Sequence, residues 1–197
     1  MNHPNAFHVI APALLLSALA CRTSPHETNV NPQTTIAMPP TPLVLELENG
    51  ERRVRRTEGG GAAAPFILKV DARNGGSRDL VMGYETIQPG RTIAPHRHLL
   101  ADEIIFIHAG SGVADLGDHS TPFGTGATIY IPKNVRVSVH NTGPGPMLIA
   151  FFFSKPGFEA YLRDTSVPEG QPVTPLTRAE LTAIRARHQT HTVYENP

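Results

Sequence analysis

The sequence predicts an all-β fold, a sandwich or barrel of short strands followed by a short C-terminal α-helix. Nineteen prolines and seventeen glycines in 197 residues, with no tryptophan, are typical of a turn-rich β protein. Strand-like apolar runs recur at short intervals, with Gly, Pro, Asn or Asp between them. This length is enough for one domain whose core is stable without further support.

The charge balance gives no reason to expect nucleic acid as a partner. Lysine plus arginine and aspartate plus glutamate each number 17, so the formal net charge is zero. One local exception is the basic run at residues 52–56, which Glu51 and Glu58 flank. A solvated hairpin edge is the preferred interpretation of this run over a binding patch.

The first 21 residues have the pattern of an export signal. Residues 9–20 form an uncharged run that is too short to span a bilayer and long enough for a signal-peptide core. The end of the run, Ala18-Leu19-Ala20-Cys21, resembles the lipobox of bacterial lipoproteins, which implies acylation of Cys21. The alternative is an ordinary secretory signal cleaved near Ala20. Either interpretation predicts an exported protein, either anchored to a membrane by its lipid or periplasmic or secreted.

The segment after the signal is predicted to lack a fold of its own. Residues 22–42 are rich in Pro, Thr and Asn and show no apolar periodicity, so we expect a disordered tether. Residues 43–47 alternate in hydropathy and precede Asn49-Gly50, which predicts a strand that enters a type I′ hairpin turn. Cys21 is the single cysteine of the chain, so no internal disulfide supports the fold.

The barrel is predicted to occupy residues 43–165, and its strands follow a break at residues 59–64. Each predicted strand is a short run of apolar and β-branched residues bounded by turn residues. The runs are residues 66–70, 80–87, 103–107, 112–116, 127–131, 135–139 and 147–153.

One helix is predicted in the C-terminal extension, residues 166–197. Thr177 and Glu180 have the spacing of a capping box, and Leu176 and Leu181 have that of a hydrophobic staple. The helix is expected at about residues 178–188. We expect it to pack over one face or the mouth of the barrel.

The stretch from Gly90 to Gly110 contains a candidate metal site. His96 and His98 share one face of a strand, because side chains alternate along it. Glu103 has the wrong parity for the same straight strand, so the chain must bend or bulge at residues 99–102. Two imidazoles and a carboxylate that converge in an apolar barrel would be costly to bury without a metal or substrate.

This stretch matches the first motif of the cupin family at every defining position, and a second motif follows it. Gly126, Pro132 and Asn141 stand where the second cupin motif has its glycine, proline and closing asparagine. The chain therefore resembles a compact single-domain cupin, with a motif core at residues 84–153. The resemblance implies a jelly-roll barrel that holds a metal in its mouth, and two copies that can pair by edge strands.

The second motif departs from the family at Val137, where typical cupins have the last metal-ligating histidine. Three alternatives remain open. His96, His98 and Glu103 bind the metal alone, His140 replaces the missing ligand through a bulge or register slip, or the site has lost its metal and the barrel binds an organic ligand or serves as a scaffold. Asn134 also replaces a glycine, a mild change because asparagine tolerates positive φ.

Two histidines with one carboxylate are the ligand set of the non-haem Fe(II) oxygenases, and Mn, Ni, Co or Zn can also take these ligands. The resemblance therefore implies a metal-dependent, dioxygenase-like protein acting on a small molecule, although cupins also include isomerases, decarboxylases and non-catalytic binders. The second hypothesis is a non-enzymatic binding module. Tyr84, Gln88 and Tyr130 are further candidates to line the pocket.

Overall fold

The computed structural model describes residues 39–59 and 64–195. The predicted signal peptide at residues 1–21, the acylation site Cys21 and most of the tether at residues 22–42 lie outside this range. Export, acylation and the tether therefore stay predictions.

Two antiparallel sheets form a jelly-roll barrel, which confirms the predicted all-β fold. The strands are β1 (Glu51–Arg55), β2 (Pro65–Val70), β3 (Val81–Ile87), β4 (Thr92–His98), β5 (Glu103–Ala109), β6 (Gly112–Leu116), β7 (His119–Phe123), β8 (Thr128–Ile131), β9 (Val137–His140), β10 (Met147–Phe153), β11 (Ser166–Pro168) and β12 (Thr192–Tyr194). The larger sheet has the order β11-β1-β2-β3-β10-β5-β8, and the smaller one has the order β12-β4-β9-β6-β7.

Each of the seven predicted strand runs overlaps an observed strand. Residues 112–116 and 147–153 coincide with β6 and β10 at both ends. The predicted strand at residues 43–47 is wrong, because these residues have no partner strand and Asn49-Gly50 instead precedes β1. Lys69 fixes this segment by donating to the carbonyl oxygens of Glu46 and Asn49, at 2.7 and 3.0 Å.

The basic run at residues 52–56 is not a solvated hairpin edge. It forms β1, which pairs with β11 on one side and β2 on the other. Arg53 donates to Ser166 and to Glu51, and Arg55 donates to Glu85. These contacts join β1 to β11, to β3 and to Glu51, the first residue of β1. The arginines are therefore part of the packed structure.

The inner face of the larger sheet is covered in two parts. At one end, Ile105, Ile107 and Ile149 pack against Val137 and Val139 of the smaller sheet. At the other end two helices complete the cover.

These helices are α1 (Phe158–Asp164) and α2 (Arg178–His188). The short C-terminal helix that the sequence predicts is confirmed as α2. Its capping box is formed: Thr177 Oγ1 accepts from the Glu180 backbone N–H, and Glu180 accepts from the Thr177 backbone N–H. Leu162 and Ile184 of the two helices pack with Phe151 and Phe153.

None of the helices in the described part of the chain has the length and apolar content needed to cross a bilayer.

Candidate metal centre

The turn at residues 99–102 brings the three predicted ligands together. His96 and His98 lie on β4, and Glu103 opens β5. Their side chains are 4%, 3% and 5% exposed, and their ligand atoms all lie within 4.8 Å of one another. On one straight strand the Glu103 side chain would point away from the imidazoles. The bend brings its carboxylate to the face on which the imidazoles lie.

The hydrogen bonds of the two imidazoles orient them as metal ligands. His96 Nδ1 donates to the Ala94 carbonyl oxygen at 2.8 Å, so His96 Nε2 carries a lone pair. His98 Nδ1 lies 3.1 Å from Thr192 Oγ1. With that hydroxyl as acceptor, His98 Nε2 is also a lone-pair donor. This is the usual arrangement for a ligating histidine, whose second ring nitrogen is held by a hydrogen bond.

The donor atoms fit a cation. His96 Nε2 lies 3.0 Å from His98 Nε2, and His98 Nε2 lies 3.3 Å from Glu103 Oε2. Glu103 Oε2 is buried and accepts no hydrogen bond from the described residues. In the tautomer with Thr192 Oγ1 as acceptor, the two Nε2 lone pairs repel each other at 3.0 Å. A buried carboxylate oxygen without a donor is also costly. A divalent metal would relieve both costs.

Burial also keeps His96 neutral. The pKa of His96 falls to about 4, first because burial disfavours the imidazolium and second because two imidazolium charges on His96 and the neighbouring His98 would repel each other. A neutral imidazole is the form that donates an electron pair to a metal.

The structure places Val137 beside the site and His140 outside it. Val137 pairs with His96 in the β4–β9 register, is fully buried and lines the same cavity. His140 is on the other face of β9, where its Nε2 lies 2.8 Å from Asp115 Oδ2 and its Nδ1 lies 3.0 Å from Thr92 Oγ1. Replacement of the missing ligand by His140 is therefore wrong, since the irregularity in the β4–β9 pairing lies between Ile93 and His96 of β4 and leaves His140 facing Asp115 and Thr92.

The other positions of the second motif have structural roles. Asn134 has a φ of 65°, so it adopts the left-handed conformation that the family's glycine would provide. The Asn141 side chain is buried, donates to the carbonyl oxygens of Ile87 and Gly145, and accepts from the Gly143 backbone N–H. These contacts tie the end of β9 to β3 and to the next turn.

A cavity of about 290 Å³ opens beside the ligands. Ile105, Val137, Val139, Ile149 and Phe151 form its apolar barrel wall. Of the candidate pocket residues, Gln88 lines this cavity. Tyr84 packs instead with Ile67 and Ala150, and Tyr130 is 57% exposed on the surface. The exposed His108 lies away from the ligands, as its parity predicts.

The C-terminal region supplies contacts to the ligands that sequence reasoning missed. β12 pairs with β4 so that Thr192 lies opposite His98 and Tyr194 opposite His96. The rings of Tyr194 and His96 stack with centroids 5.3 Å apart, and Phe158 of α1 packs edge-on to His98 at 4.7 Å. The alternating β-formers at residues 192–194 are the only sequence signal for this strand, and three residues are too few to predict its partner.

Arg55 was also missed as a cavity residue. It lines the cavity and forms a two-point ion pair with Glu85, with both N···O distances 2.9 Å. The pKa of Arg55 is raised: burial lowers it, and the charge and hydrogen bonds of Glu85 raise it by more. The period-two alternation of the basic run predicts that Arg53 and Arg55 lie on one face of a strand. It does not predict which face of that strand is buried.

Thr192→Val should weaken metal binding without removing a ligand. The change keeps the shape of the side chain and removes the acceptor for His98 Nδ1, and loss of such a partner typically costs about 10- to 100-fold in metal affinity. Competition with a chelator of known affinity measures the change. Val193→Ala, at an exposed position of the same strand, should leave the affinity unchanged. Equal affinities of Thr192→Val and the unmodified protein would contradict the role of Thr192.

Comparison with known proteins supports the cupin superfamily. Residues 83–153 match a family model described as Cupin domain. Protein SchB of Streptomyces halstedii is 39% identical over 62 residues, which is 32% of this chain; the chain spans 45% of the length of that curated relative.

Among the solved structures, one with a TM-score above 0.5 agrees with the fold. A predicted oxalate decarboxylase from Thermotoga maritima has a TM-score of 0.51 at 17% identity, over 58% of this chain and all of that one. A conserved Klebsiella pneumoniae protein with a double-stranded β-helix domain has a TM-score of 0.43 at 16% identity, over 51% of this chain and 84% of that one. At such identity the likeness concerns the fold alone.

Proposed function

We propose that this chain binds one divalent metal ion through His96, His98 and Glu103. The premise of the proposal is the cupin domain at residues 83–153. The observation that carries the proposal is the convergence of three buried ligand atoms, one of them a carboxylate oxygen that accepts no hydrogen bond from the residues that the structure describes. The ligand set suits Fe(II), and Mn, Ni, Co or Zn also accept it.

The finer proposal is a metal-dependent, dioxygenase-like activity on a small molecule. A divalent metal in this site would supply Lewis-acid or oxygen-activating chemistry. The chain contributes the position next to His96, where Val137 offers no lone pair and leaves room for a substrate atom. Thr192 and Tyr194 contact the two imidazoles and hold them in place.

The sequence also supports an exported protein. This part of the proposal rests on residues 1–21 and their lipobox-like end alone. A homodimer formed through edge strands rests only on the resemblance to cupins.

Metal analysis of protein purified without added metal tests the proposal. We expect close to one equivalent of a divalent metal, and a higher unfolding temperature when Fe(II), Mn(II) or Ni(II) is added, because a ligand of the native state stabilises it. A content below about a tenth of an equivalent, with no gain in thermal stability, would contradict metal binding.

That contrary result would favour the second candidate function, a non-enzymatic module that binds a small molecule in the barrel mouth. Val137 is the observation in its favour, because it removes one ligand from the usual cupin set. The cavity would then be the binding site, and His96, His98 and Glu103 would contact the organic ligand directly.

A further inference from the structure

The charges on the cavity wall do not balance. Four arginines and three glutamates line the cavity: Arg55, Arg56, Arg91, Arg185, Glu58, Glu85 and Glu103. Each of the glutamates other than the candidate ligand Glu103 already has an arginine partner. Glu85 pairs with Arg55, and Glu58 pairs with Arg178 at 3.0 Å.

Glu58 and Glu85 therefore do not neutralise the charges of Arg56, Arg91 and Arg185, the other arginines of the cavity wall. Arg56 approaches Glu180 outside the cavity at 3.5 Å. Arg91 and Arg185 have no carboxylate within ion-pairing distance in the described ranges. A dication held by two neutral histidines and one carboxylate would add a further net positive charge.

Arg185 is the more deeply placed of these two arginines. It is partly buried on α2, and its guanidinium carbon lies 4.7 Å from the centre of the Tyr194 ring. Its Nε atom is buried and has no hydrogen-bond partner among residues 39–59 and 64–195. A buried donor on a charged group is costly when it is left unpaired. Arg185 also lines the cavity, so an acceptor that enters the cavity can contact its guanidinium.

The rest of the cavity wall indicates what kind of molecule carries that acceptor. Ile105, Val139, Ile149 and Phe151 present hydrocarbon, and the volume is that of a small organic molecule. A guanidinium matches a carboxylate in both charge and geometry.

We propose that Arg185 binds the carboxylate of a small organic acid whose apolar body lies in the barrel. The proposal rests on the cavity of the proposed function and names its ligand class. Arg185 is a substrate-binding residue in this scheme, and its contact with the acid does not require the metal.

Isothermal titration calorimetry with benzoate and hexanoate tests the proposal. Chelator-treated protein is titrated first, so that carboxylate coordination to a metal plays no part, and metal-loaded protein second. We expect at least one acid to bind the chelator-treated protein, and its neutral analogue, benzyl alcohol or hexanol, to bind about 10- to 100-fold more weakly, because a charged hydrogen bond is lost. Metal content, measured separately, reports on the proposed function.

Arg185→Gln should reduce the affinity for the acid by about 10- to 100-fold and leave that for the alcohol unchanged. Arg185→Lys keeps the charge and should recover part of the affinity. Arg187→Gln is the matched control, since Arg187 lies on the same helix, is exposed and pairs with Asp164. Thermal unfolding of each variant checks its fold.

The proposal would be overturned if neither acid binds, if the acids and alcohols bind equally, or if Arg185→Gln binds the acid as tightly as the unmodified protein. Inorganic phosphate that binds as tightly as the acids would also overturn it, because the apolar wall would then contribute nothing.

Discussion

Replacing His96 with alanine should leave a folded protein without bound metal. The change removes one of three ligands, and the two that remain, His98 and Glu103, cannot retain an ion through purification. Outer-shell partners alone are worth about 10- to 100-fold in metal affinity, and a direct ligand is worth more. Metal content should fall from about one equivalent to below a tenth, and the unfolding temperature should no longer respond to added metal.

His140→Ala is the matched control for this experiment. It removes an imidazole from the neighbouring strand, where the ring contacts Asp115 and Thr92 rather than the ligands. Its metal content should equal that of the unmodified protein. Loss of metal from His140→Ala, or retention of metal by His96→Ala, would contradict the assignment of the ligands.

Replacing Val137 with histidine should strengthen metal binding. The Val137 side chain is fully buried, lines the cavity and lies opposite His96 in the β4–β9 register. An imidazole at this position would complete the four-ligand set of typical cupins. We expect metal affinity to rise at least about tenfold, because even an outer-shell partner changes metal affinity by about 10- to 100-fold. Chelator competition measures the gain.

The same change should lower any activity or substrate affinity that uses the open position next to His96. Val139→His is the control, because it places the same side chain on the same face of β9 but opposite Ile93. That variant should not bind metal more tightly. A gain in Val139→His equal to that in Val137→His would mean that added histidine in the cavity, rather than a completed ligand set, is responsible.

The sequence predicted the core of the site because its signals are local. His96, His98 and Glu103 lie within eight residues, and strand parity alone required the bend at residues 99–102 that the structure contains. The all-β class was predictable for the same reason, since alternation and turn residues act over short segments. Asn134 is an example of such a local signal: asparagine tolerates a positive φ, and the φ of Asn134 is positive.

What the sequence did not predict depends on pairing between distant segments. Residues 43–47 have the alternation of a strand, but strand propensity is decided by partners, and none lies beside them. Arg55 looked like part of a solvated edge until β11, more than a hundred residues later, was found to pair with β1.

The cavity residues on α1, α2 and β12 were missed for the same reason. Thr192 and Tyr194 reach the ligands because β12 pairs with β4 across a separation of more than ninety residues. No spacing rule connects such positions.

The pairing of β12 with β4 makes the proposed metal site dependent on a strand of three residues. Thr192 and Tyr194 contact the two ligating imidazoles, so part of the free energy of metal binding is also the free energy of docking this strand. Thermodynamic linkage is reciprocal: an ion that stabilises the docked strand is itself held more weakly whenever the strand leaves the barrel. The docking equilibrium of the chain's last described strand would therefore set how far the apparent metal affinity falls below that of the fully docked barrel.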